Sequence, residues 1–273
     1  MLGIHQSLNG LQMLAMDAKD IGADTFQCFL RNNRNLKMRS NLLDELPYFE
    51  TALNKAGITK YVVHAPYTIN PASDDFDKRV NAMSVIHEDL KLLSKLPYIK
   101  YYVLHPGSAG DLMRTDALLN LYDVLLKATT GVDMTDTYIC LETMAGQGTQ
   151  LLATPFEVMG IMSMFAPTSH IMVCFDTAHV FAAGYDVEDT LKLMCDNMKL
   201  PIGVVHLNQS MTYFGSRVDR HASITAAPAN IPIEVLQHVA FRADYMGIPT
   251  ILETPSDYLL QDYRECKSWL VYQ

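Results

Sequence analysis

The sequence predicts an α/β protein, a single (β/α)8 TIM barrel over residues 1–273. Three observations favour this fold: the chain length, eight short apolar runs, and helical segments between the runs. With 273 residues, of which 49% are hydrophobic, the chain suits one barrel domain with a large core. The alternative, an open doubly wound sheet, normally has a glycine-rich phosphate loop, and the sequence has no such motif. The barrel is therefore the preferred fold.

Eight runs rich in Val, Ile, Tyr and Phe are predicted as strands, because they are short and turn residues close several of them. They are GIHQS from residue 3, DTFQCFL at 24–30, YVVHAP at 61–66, YYVLHPG at 101–107, TYICLET at 137–143, IMVCFDTAH at 171–179, IGVVHLNQS at 202–210 and PTILETP at 249–255.

Apolar residues recur at helical spacing between these runs. The stripes are formed by Leu11, Leu14, Ala15, Ala18 and Ile21, by Leu90, Leu93 and Leu96, and by Leu118, Leu121, Leu125 and Ala128. A strand followed by a helix, repeated along the whole chain, is typical of a barrel with its helices outside.

Composition limits the possible compartments and partners. The five cysteines form no C-x-x-C pair, which predicts reduced thiols and an intracellular protein, in the cytoplasm or in a nuclear or viral compartment. The N-terminal residues lack a signal-peptide pattern, and no membrane association is expected. The net charge of −9 argues against a nucleic-acid partner, but three bound divalent ions would reduce it to about −3. Charge alone therefore does not exclude DNA.

Ionisable residues follow the predicted strands, at the C-terminal rim where barrel active sites lie. Imidazole and carboxylate groups without thiolate suit Zn²⁺, with Mn²⁺ or Fe²⁺ as alternatives, and a catalytic zinc takes about three protein ligands. The set therefore predicts three ions at the rim, with Mn²⁺ possible at one position. Its members are His64, His105, Glu142, Asp176, His179, His206, Asp219, His221 and Glu253.

Each residue of this set also has a structural interpretation when taken alone. A single His after a strand is commonly a hydrogen-bonded structural residue. Asp176 could cap a helix, and Asp219 could lie in a solvated turn. Other chemistries have less support, because no G-x-S-x-G nucleophile motif occurs and Cys28, Cys140 and Cys174 lie within predicted strands. Cys140 and Cys174 could touch the site from deeper in the barrel.

The motifs HAPYTIN, LHPGS, LETMAGQG, FDTAHVFAAGYD, HLNQS, GSRVDRH and LETP, in this order, resemble those of endonuclease IV, the zinc-dependent AP endonucleases. The resemblance covers the chain from residue 3 to residue 255. It implies hydrolysis of the phosphodiester 5′ to abasic sites in duplex DNA, leaving a 3′-hydroxyl, and trimming of blocked 3′ ends. We expect a monomer.

The resemblance also implies how the ligands are divided among three zinc ions. His64, His105 and Glu142 would bind the first ion, and Glu142 would bridge to the second. Asp176, His206 and Glu253 would complete the second site, and His179, Asp219 and His221 would bind the third ion. Glu142 and Glu253 would act in catalysis by fixing the metal spacing and orienting the nucleophile.

Four residues are expected to contact DNA. The segment FLRNNRNLKMRS contains Arg31, Arg34, Lys37 and Arg39, the densest basic cluster of the chain, although an ordinary solvated face would look the same. The resemblance places Arg34 and Tyr67 in the minor groove at the lesion. Arg217 and Arg220 flank two ligands and could bind phosphates, or could form charge pairs that hold the loop.

The chain departs from the family pattern at four places. Thr68 stands where Leu is usual, Gln209 replaces an Asp, Met211 replaces a common Lys, and ITAAPANIP follows the last loop ligand in place of I-G-x-G. We expect weaker discrimination of lesions and an altered loop, with the metal ligands intact. Two other functions therefore stay open: a metal-dependent sugar isomerase or epimerase with about one ion, and a protein that binds damaged DNA without cleaving it.

Overall fold

Eight parallel strands close into a barrel in this computed structural model, which describes residues 1–40 and 42–270. The barrel strands are β1 (Leu2–Gln6), β2 (Thr25–Phe29), β3 (Lys60–His64), β4 (Ile99–Leu104), β5 (Thr137–Glu142), β6 (Ile171–Asp176), β7 (Ile202–His206) and β10 (Thr250–Leu252). Around the barrel their order is β1-β10-β7-β6-β5-β4-β3-β2. The predicted TIM barrel is confirmed.

Helices lie between the strands. They are α1 (Leu11–Asp20), α2 (Leu46–Ala56), α3 (Phe76–Leu93), α4 (Arg114–Thr129), α5 (Pro155–Ser163), α6 (Thr177–Ala182), α7 (Val187–Lys192), α8 (Ile233–Tyr245) and α9 (Leu259–Leu270). Most residues of the predicted apolar stripes are buried, while Ile21 and Leu118 are half-buried. Across the described ranges, no helix is both long and apolar enough to cross a membrane.

Inward-facing side chains fill the barrel and position the polar rim. They form a cluster of their own, consisting of Val62, Tyr101, Val103, Cys140, Cys174, Val204 and Ile251. Because strand side chains alternate between two faces, the residue two positions further on points into the barrel again. On β3 the step from Val62 reaches His64, and on β5 the step from Cys140 reaches Glu142. Apolar packing therefore aims the rim residues at the barrel axis.

Close packing of two strands depends on Gly3. A Cβ atom at this position of β1 would lie 2.2 Å from the backbone oxygen of Thr25 in β2. This distance is far below van der Waals contact, so any larger residue would force the strands apart. The glycine thus sets the spacing of the strands on which His5 and Gln27 lie, a pair that is in register across β1 and β2.

All eight barrel strands end before the predicted runs do, and two of these ends have a visible cause. The run at 171–179 leaves strand geometry at Asp176, whose carboxylate accepts a hydrogen bond from the His179 backbone N–H at 2.7 Å and so caps α6. The run at 202–210 ends as a barrel strand at His206. Its last residues form a separate strand, β8 (Gln209–Ser210), which pairs antiparallel with β9 (His221–Ala222). At both strand ends, contacts of particular residues determine where the strand stops, and the apolar pattern does not.

Candidate metal centre

All nine predicted ligands converge above the C-terminal rim of the barrel. Four are the last residues of their strands: His64, Glu142, Asp176 and His206. His105 and Glu253 directly follow β4 and β10, His179 lies in α6, and Asp219 and His221 arrive from the loop that ends in β9. The pairing of β9 with β8 places His221 opposite Ser210, close after the end of β7, and this turns the loop back over the barrel.

The first cluster contains two imidazoles and one carboxylate. The Nε2 atoms of His64 and His105 each lie 3.2 Å from Oε2 of Glu142. His64 places its Nδ1 2.7 Å from the Ala65 carbonyl oxygen, which can only accept, so Nδ1 carries the proton. The Nε2 lone pair of His64 therefore points at the carboxylate.

The second cluster surrounds His206, which is fully buried. Its Nδ1 lies 3.1 Å from Oε1 of Glu142, 3.2 Å from Oε2 of Glu253 and 3.7 Å from Oδ2 of Asp176. Its Nε2 lies 2.8 Å from Oε1 of Gln27. Oxygens of three carboxylates thus face the same imidazole nitrogen. Glu142 belongs to both the first and the second cluster.

The third cluster joins a helix residue to two loop residues. His179 donates its Nδ1 proton to the Thr143 carbonyl oxygen, 2.9 Å away, and its Nε2 lies 3.2 Å from Oδ2 of Asp219. His221 places Nε2 3.5 Å from Oδ1 of Asp219 and 3.8 Å from Oδ2 of Asp176. Neither Nε2 atom has a hydrogen-bond partner of suitable geometry among the described residues, although both atoms are buried.

The donor set fits divalent cations. Unprotonated imidazole nitrogens that face carboxylate oxygens bring lone pair against lone pair, so the arrangement is repulsive without a cation or proton between them. Burial would lower the pKa of His179, yet the carboxylates of Asp176 and Asp219 raise it well above its usual value, so a proton takes this place in the metal-free protein. The buried Nε2 atoms of His179 and His221 have no hydrogen-bond partner of suitable geometry among the described residues, and a cation would provide one. Mixed imidazole and carboxylate ligands without an ionised thiol are a set that suits zinc.

Cys174 also lies near the second cluster, with its sulfur close to Glu142 and His206. Burial and the neighbouring carboxylate Glu142 raise the pKa of this thiol well above its usual value. The sulfur is therefore a protonated, inward-facing core group below the rim. Cys140 is likewise buried in the barrel interior, where burial raises its pKa.

The charges of the cluster shift the pKa values of its members. Burial opposes ionisation of Glu142, but the imidazoles of His206 and His105 outweigh it and hold the pKa of Glu142 well below its ordinary value. Burial would lower the pKa of His206, yet the carboxylates of Glu253 and Glu142 raise it to about 9. Without a metal ion, protons therefore compensate the carboxylates.

Zinc binding is expected to release protons. At pH 7.5 the metal-free protein carries a proton on His206, because its pKa is about 9, and an ion at this position must displace it. Zinc affinity should therefore rise as pH rises toward 9, with at least one proton released per chain. Calorimetric titration with zinc in buffers of different ionisation enthalpy measures this number, and an unchanged heat across buffers would contradict it.

Three residues outside the predicted set hold the ligands in place. Asn208 donates from Nδ2 to Oδ2 of Asp176 at 2.7 Å and to Oε2 of Glu253 at 3.0 Å. Thr143 accepts from His179 through its carbonyl oxygen, and its hydroxyl accepts the backbone N–H of Asp176. Gln27 contacts ligands from β2. The sequence signal for Asn208 is its place two residues after His206, and that for Thr143 is its place directly after Glu142, whereas Gln27 has no local signal.

The four predicted DNA-contacting residues are exposed around the bowl. Tyr67 is 55% exposed and lines an open cavity of about 630 Å³ together with several of the ligands. Arg34, Arg217 and Arg220 are also exposed. Within residues 1–40 and 42–270, none of these three arginines pairs with a carboxylate, so the charge-pair interpretation of Arg217 and Arg220 is not favoured.

The basic cluster after β2 is smaller than its sequence indicates. Arg31 is buried, donating from Nε to Oδ1 of Asp89 at 2.6 Å and from a terminal nitrogen to Oε2 of Glu88 at 2.7 Å. Its other terminal nitrogen donates to the Leu36 carbonyl oxygen at 2.8 Å. Arg31 is thus an anchor that ties the loop carrying Arg34 to α3.

The altered loop after His221 is held at both ends. The buried amide of Gln209 donates to the Ile231 carbonyl oxygen at 2.8 Å and accepts from the Ile231 N–H at 2.7 Å. A carboxylate can only accept, so an Asp could not make this pair of bonds. At the other end, the buried Asp262 accepts hydrogen bonds from residues 223–225. Gln209 therefore fixes the end of this loop through two hydrogen bonds that the family's usual Asp could not both make.

Thr68 has a structural partner as well. Its hydroxyl donates to the Asn33 carbonyl oxygen at 2.9 Å and links the loop of Tyr67 to the loop of Arg34. Met211 is exposed. The expected weakening of lesion discrimination by these departures stays a prediction.

Comparisons with known proteins agree with this geometry. A family model described as a xylose isomerase-like TIM barrel matches residues 16–271. A protein named "Probable endonuclease 4" from Alkaliphilus oremlandii is 33% identical over 265 residues, which are 94% of this chain and 92% of the relative. The protein of the same name from Mycoplasmoides gallisepticum is 41% identical over 202 residues, 71% of this chain and 64% of the relative. The chain belongs to the endonuclease IV family.

Solved structures support the same assignment. Endonuclease IV from Thermus thermophilus superposes with a TM-score of 0.83 at 27% sequence identity, over 98% of each chain. A D-tagatose 3-epimerase-like protein has a TM-score of 0.74 at 19% identity, over 98% of this chain and 95% of that one, and shares the fold alone. These comparisons confirm two predictions: the chain belongs to the endonuclease IV family, and it is an enzyme of the nuclease class.

Proposed function

We propose that this endonuclease IV family member hydrolyses the phosphodiester on the 5′ side of abasic sites in duplex DNA, and trims blocked 3′ ends, with three zinc ions. The observation that carries the proposal is the arrangement of three adjoining ligand clusters in one bowl, with Glu142 shared by two of them. Such a set exceeds the roughly three ligands that one catalytic zinc takes.

Each cluster would hold one ion. His64, His105 and Glu142 form the first site, and Glu142, Asp176, His206 and Glu253 form the second. His179, Asp219 and His221 form the third site, in which Asp219 lies within 3.5 Å of both imidazoles. When bound, the ions would lower the pKa of a water molecule and neutralise charge on the phosphate.

Glu142 and Glu253 have different positions and therefore different proposed roles. The side chain of Glu142 is 1% exposed and is surrounded by imidazoles, so it fixes the spacing of the first and second sites. The side chain of Glu253 is 17% exposed and lines the open cavity. Glu253 can therefore orient a water molecule in the bowl, while Gln27 and Asn208 hold its two oxygens.

The exposed residues around the bowl would bind the duplex. Arg217 and Arg220 lie on the loop that brings Asp219 to the third site, so phosphate contacts there would place the backbone next to the cluster. Arg34 and Tyr67 would enter the minor groove at the lesion. Binding of an acidic polymer by a chain of net charge −9 is reasonable, because the bound ions and these arginines make the bowl locally positive.

Zinc content and incision of a defined duplex test the proposal together. The purified protein should contain about three zinc ions per chain and should cut a duplex with one abasic analogue on its 5′ side, leaving an undamaged duplex intact. A second substrate with a blocked 3′ end tests trimming. Three ions with binding but no incision would favour the non-cleaving damaged-DNA-binding protein, and about one ion would favour the sugar isomerase or epimerase.

A further inference from the structure

We propose that Gln27 is a positioning residue for the second ion site, because it fixes the proton of His206 and the orientation of Glu253 through one amide group. The inference rests on the proposed metal centre and not on the identity of the substrate. Gln27 lies in the middle of β2, with an exposed fraction of 0%, and its side chain points into the barrel between β1 and β3.

The contacts of Gln27 determine the orientation of its amide. Its nitrogen lies 2.6 Å from Oε1 of Glu253 and 3.0 Å from Nδ1 of His5. An ionised carboxylate can only accept, so the NH2 group must face Glu253, and the amide oxygen must face the opposite side. The amide of Gln27 cannot rotate by half a turn without placing two oxygens in contact.

The orientation of the amide then determines the state of His206. The Gln27 oxygen lies 2.8 Å from Nε2 of His206, and an amide oxygen can only accept a hydrogen bond. His206 therefore carries its proton on Nε2 when the ring is neutral. Its Nδ1 lone pair is left for the ion, directed at the oxygens of Glu142, Asp176 and Glu253.

The same amide sets both sides of the second site. By holding Oε1 of Glu253, it leaves Oε2 facing the Nδ1 atom of His206, 3.2 Å away. The nearby His5 places its Nδ1 3.0 Å from the same Gln27 nitrogen, where it can accept the remaining amide proton. Hydrogen bonds to the distal nitrogen of a ligating imidazole commonly change metal affinity by about 10- to 100-fold.

Gln27→Met tests this role, because Met has a similar length but neither donates nor accepts strongly. Zinc affinity of the full chain, measured by competition with a chromophoric chelator, should fall by about 10- to 100-fold for one of the three ions. Incision, measured in parallel, should fall through kcat with an unchanged KM, and higher free zinc should restore it. Because bound zinc also stabilises the folded chain, a destabilised control variant is needed to separate this effect from a general loss of folding.

Thr25→Val is the matched control. Thr25 lies two residues earlier on β2, on the same face, is fully buried, and donates to the Lys60 carbonyl oxygen at 2.9 Å, away from every ligand. Its loss should lower stability without changing zinc affinity. Zinc affinities within twofold of each other for Gln27→Met and wild type, or an equal loss in Thr25→Val, would overturn the proposal.

Gln27→Ala provides a second variant without the bulk of Met and should show the same loss of zinc affinity. Failure of both Gln27 variants to fold in the presence of zinc would make Gln27 a structural residue and would also overturn the proposal. A wild-type protein that binds three ions but does not incise DNA would refute the proposed function. The zinc affinities of the Gln27 variants would still test the positioning role, because they do not depend on incision.

Discussion

Glu142→Gln is expected to lose at least one zinc ion and to lower incision of an abasic duplex by about a thousandfold, or about 4 kcal/mol in the barrier. Oε2 of Glu142 faces two imidazoles at 3.2 Å, and Oε1 faces His206 at 3.1 Å. An amide has one oxygen, and its nitrogen does not bind a cation, so Gln cannot serve both clusters. Metal content by atomic emission and single-turnover incision measure the two effects.

Glu188→Gln is a suitable control for this change. Glu188 also pairs with an imidazole, that of His238 at 3.1 Å, but both side chains are more than half exposed and lie on the outer surface. An exposed pair of this kind contributes little, so zinc content and incision should be unchanged. A Glu142→Gln protein that keeps three ions and wild-type turnover would show that Glu142 does not bridge.

The barrel could be predicted from the sequence because its cause is local and repeated. Each strand is a short apolar run whose inward residues pack in the interior, as Val62, Cys140 and Cys174 do. The strand ends could not be predicted in this way, and two of them show the reason. At Asp176 a capping carboxylate starts a helix, and at Gln209 a pairing with the distant Ala222 starts a new strand. Both events depend on contacts that apolar periodicity does not contain.

The residues of the candidate site could also be predicted only in part. Six of the nine ionisable residues could be found because strand ends of a parallel barrel meet at one rim. His179 lies in α6, and Asp219 and His221 lie in a loop, yet the structure brings all nine together. Gln27 could not be found, since a polar residue inside an apolar run has no meaning until the register places it beside His206 and Glu253. In the sequence, Arg31 is part of a basic cluster. In the structure it pairs with two acidic residues of α3, which are distant in sequence.

His221→Ala is expected to remove the third ion and to lower incision by about a hundredfold or more, with two ions retained. Only His179 and Asp219 would remain at this site, and two protein ligands are fewer than a catalytic zinc normally takes. The fold should survive, because Nε2 of His221 is buried without a hydrogen-bond partner in the described part of the chain, so its removal leaves no donor or acceptor unpaired.

Two measurements separate this effect from a general defect. In the presence of a chelator, thermal unfolding of His221→Ala should match wild type to within about 1 kcal/mol, because the ring is at the open end of the barrel. His238→Ala, which removes an exposed imidazole from the Glu188 pair, should keep three ions and full incision. Three ions in His221→Ala would refute the ligand role of the loop. Two ions with full incision would instead restrict the chemistry to the clusters that share Glu142, and would make the loop carrying Asp219 an element of DNA binding alone.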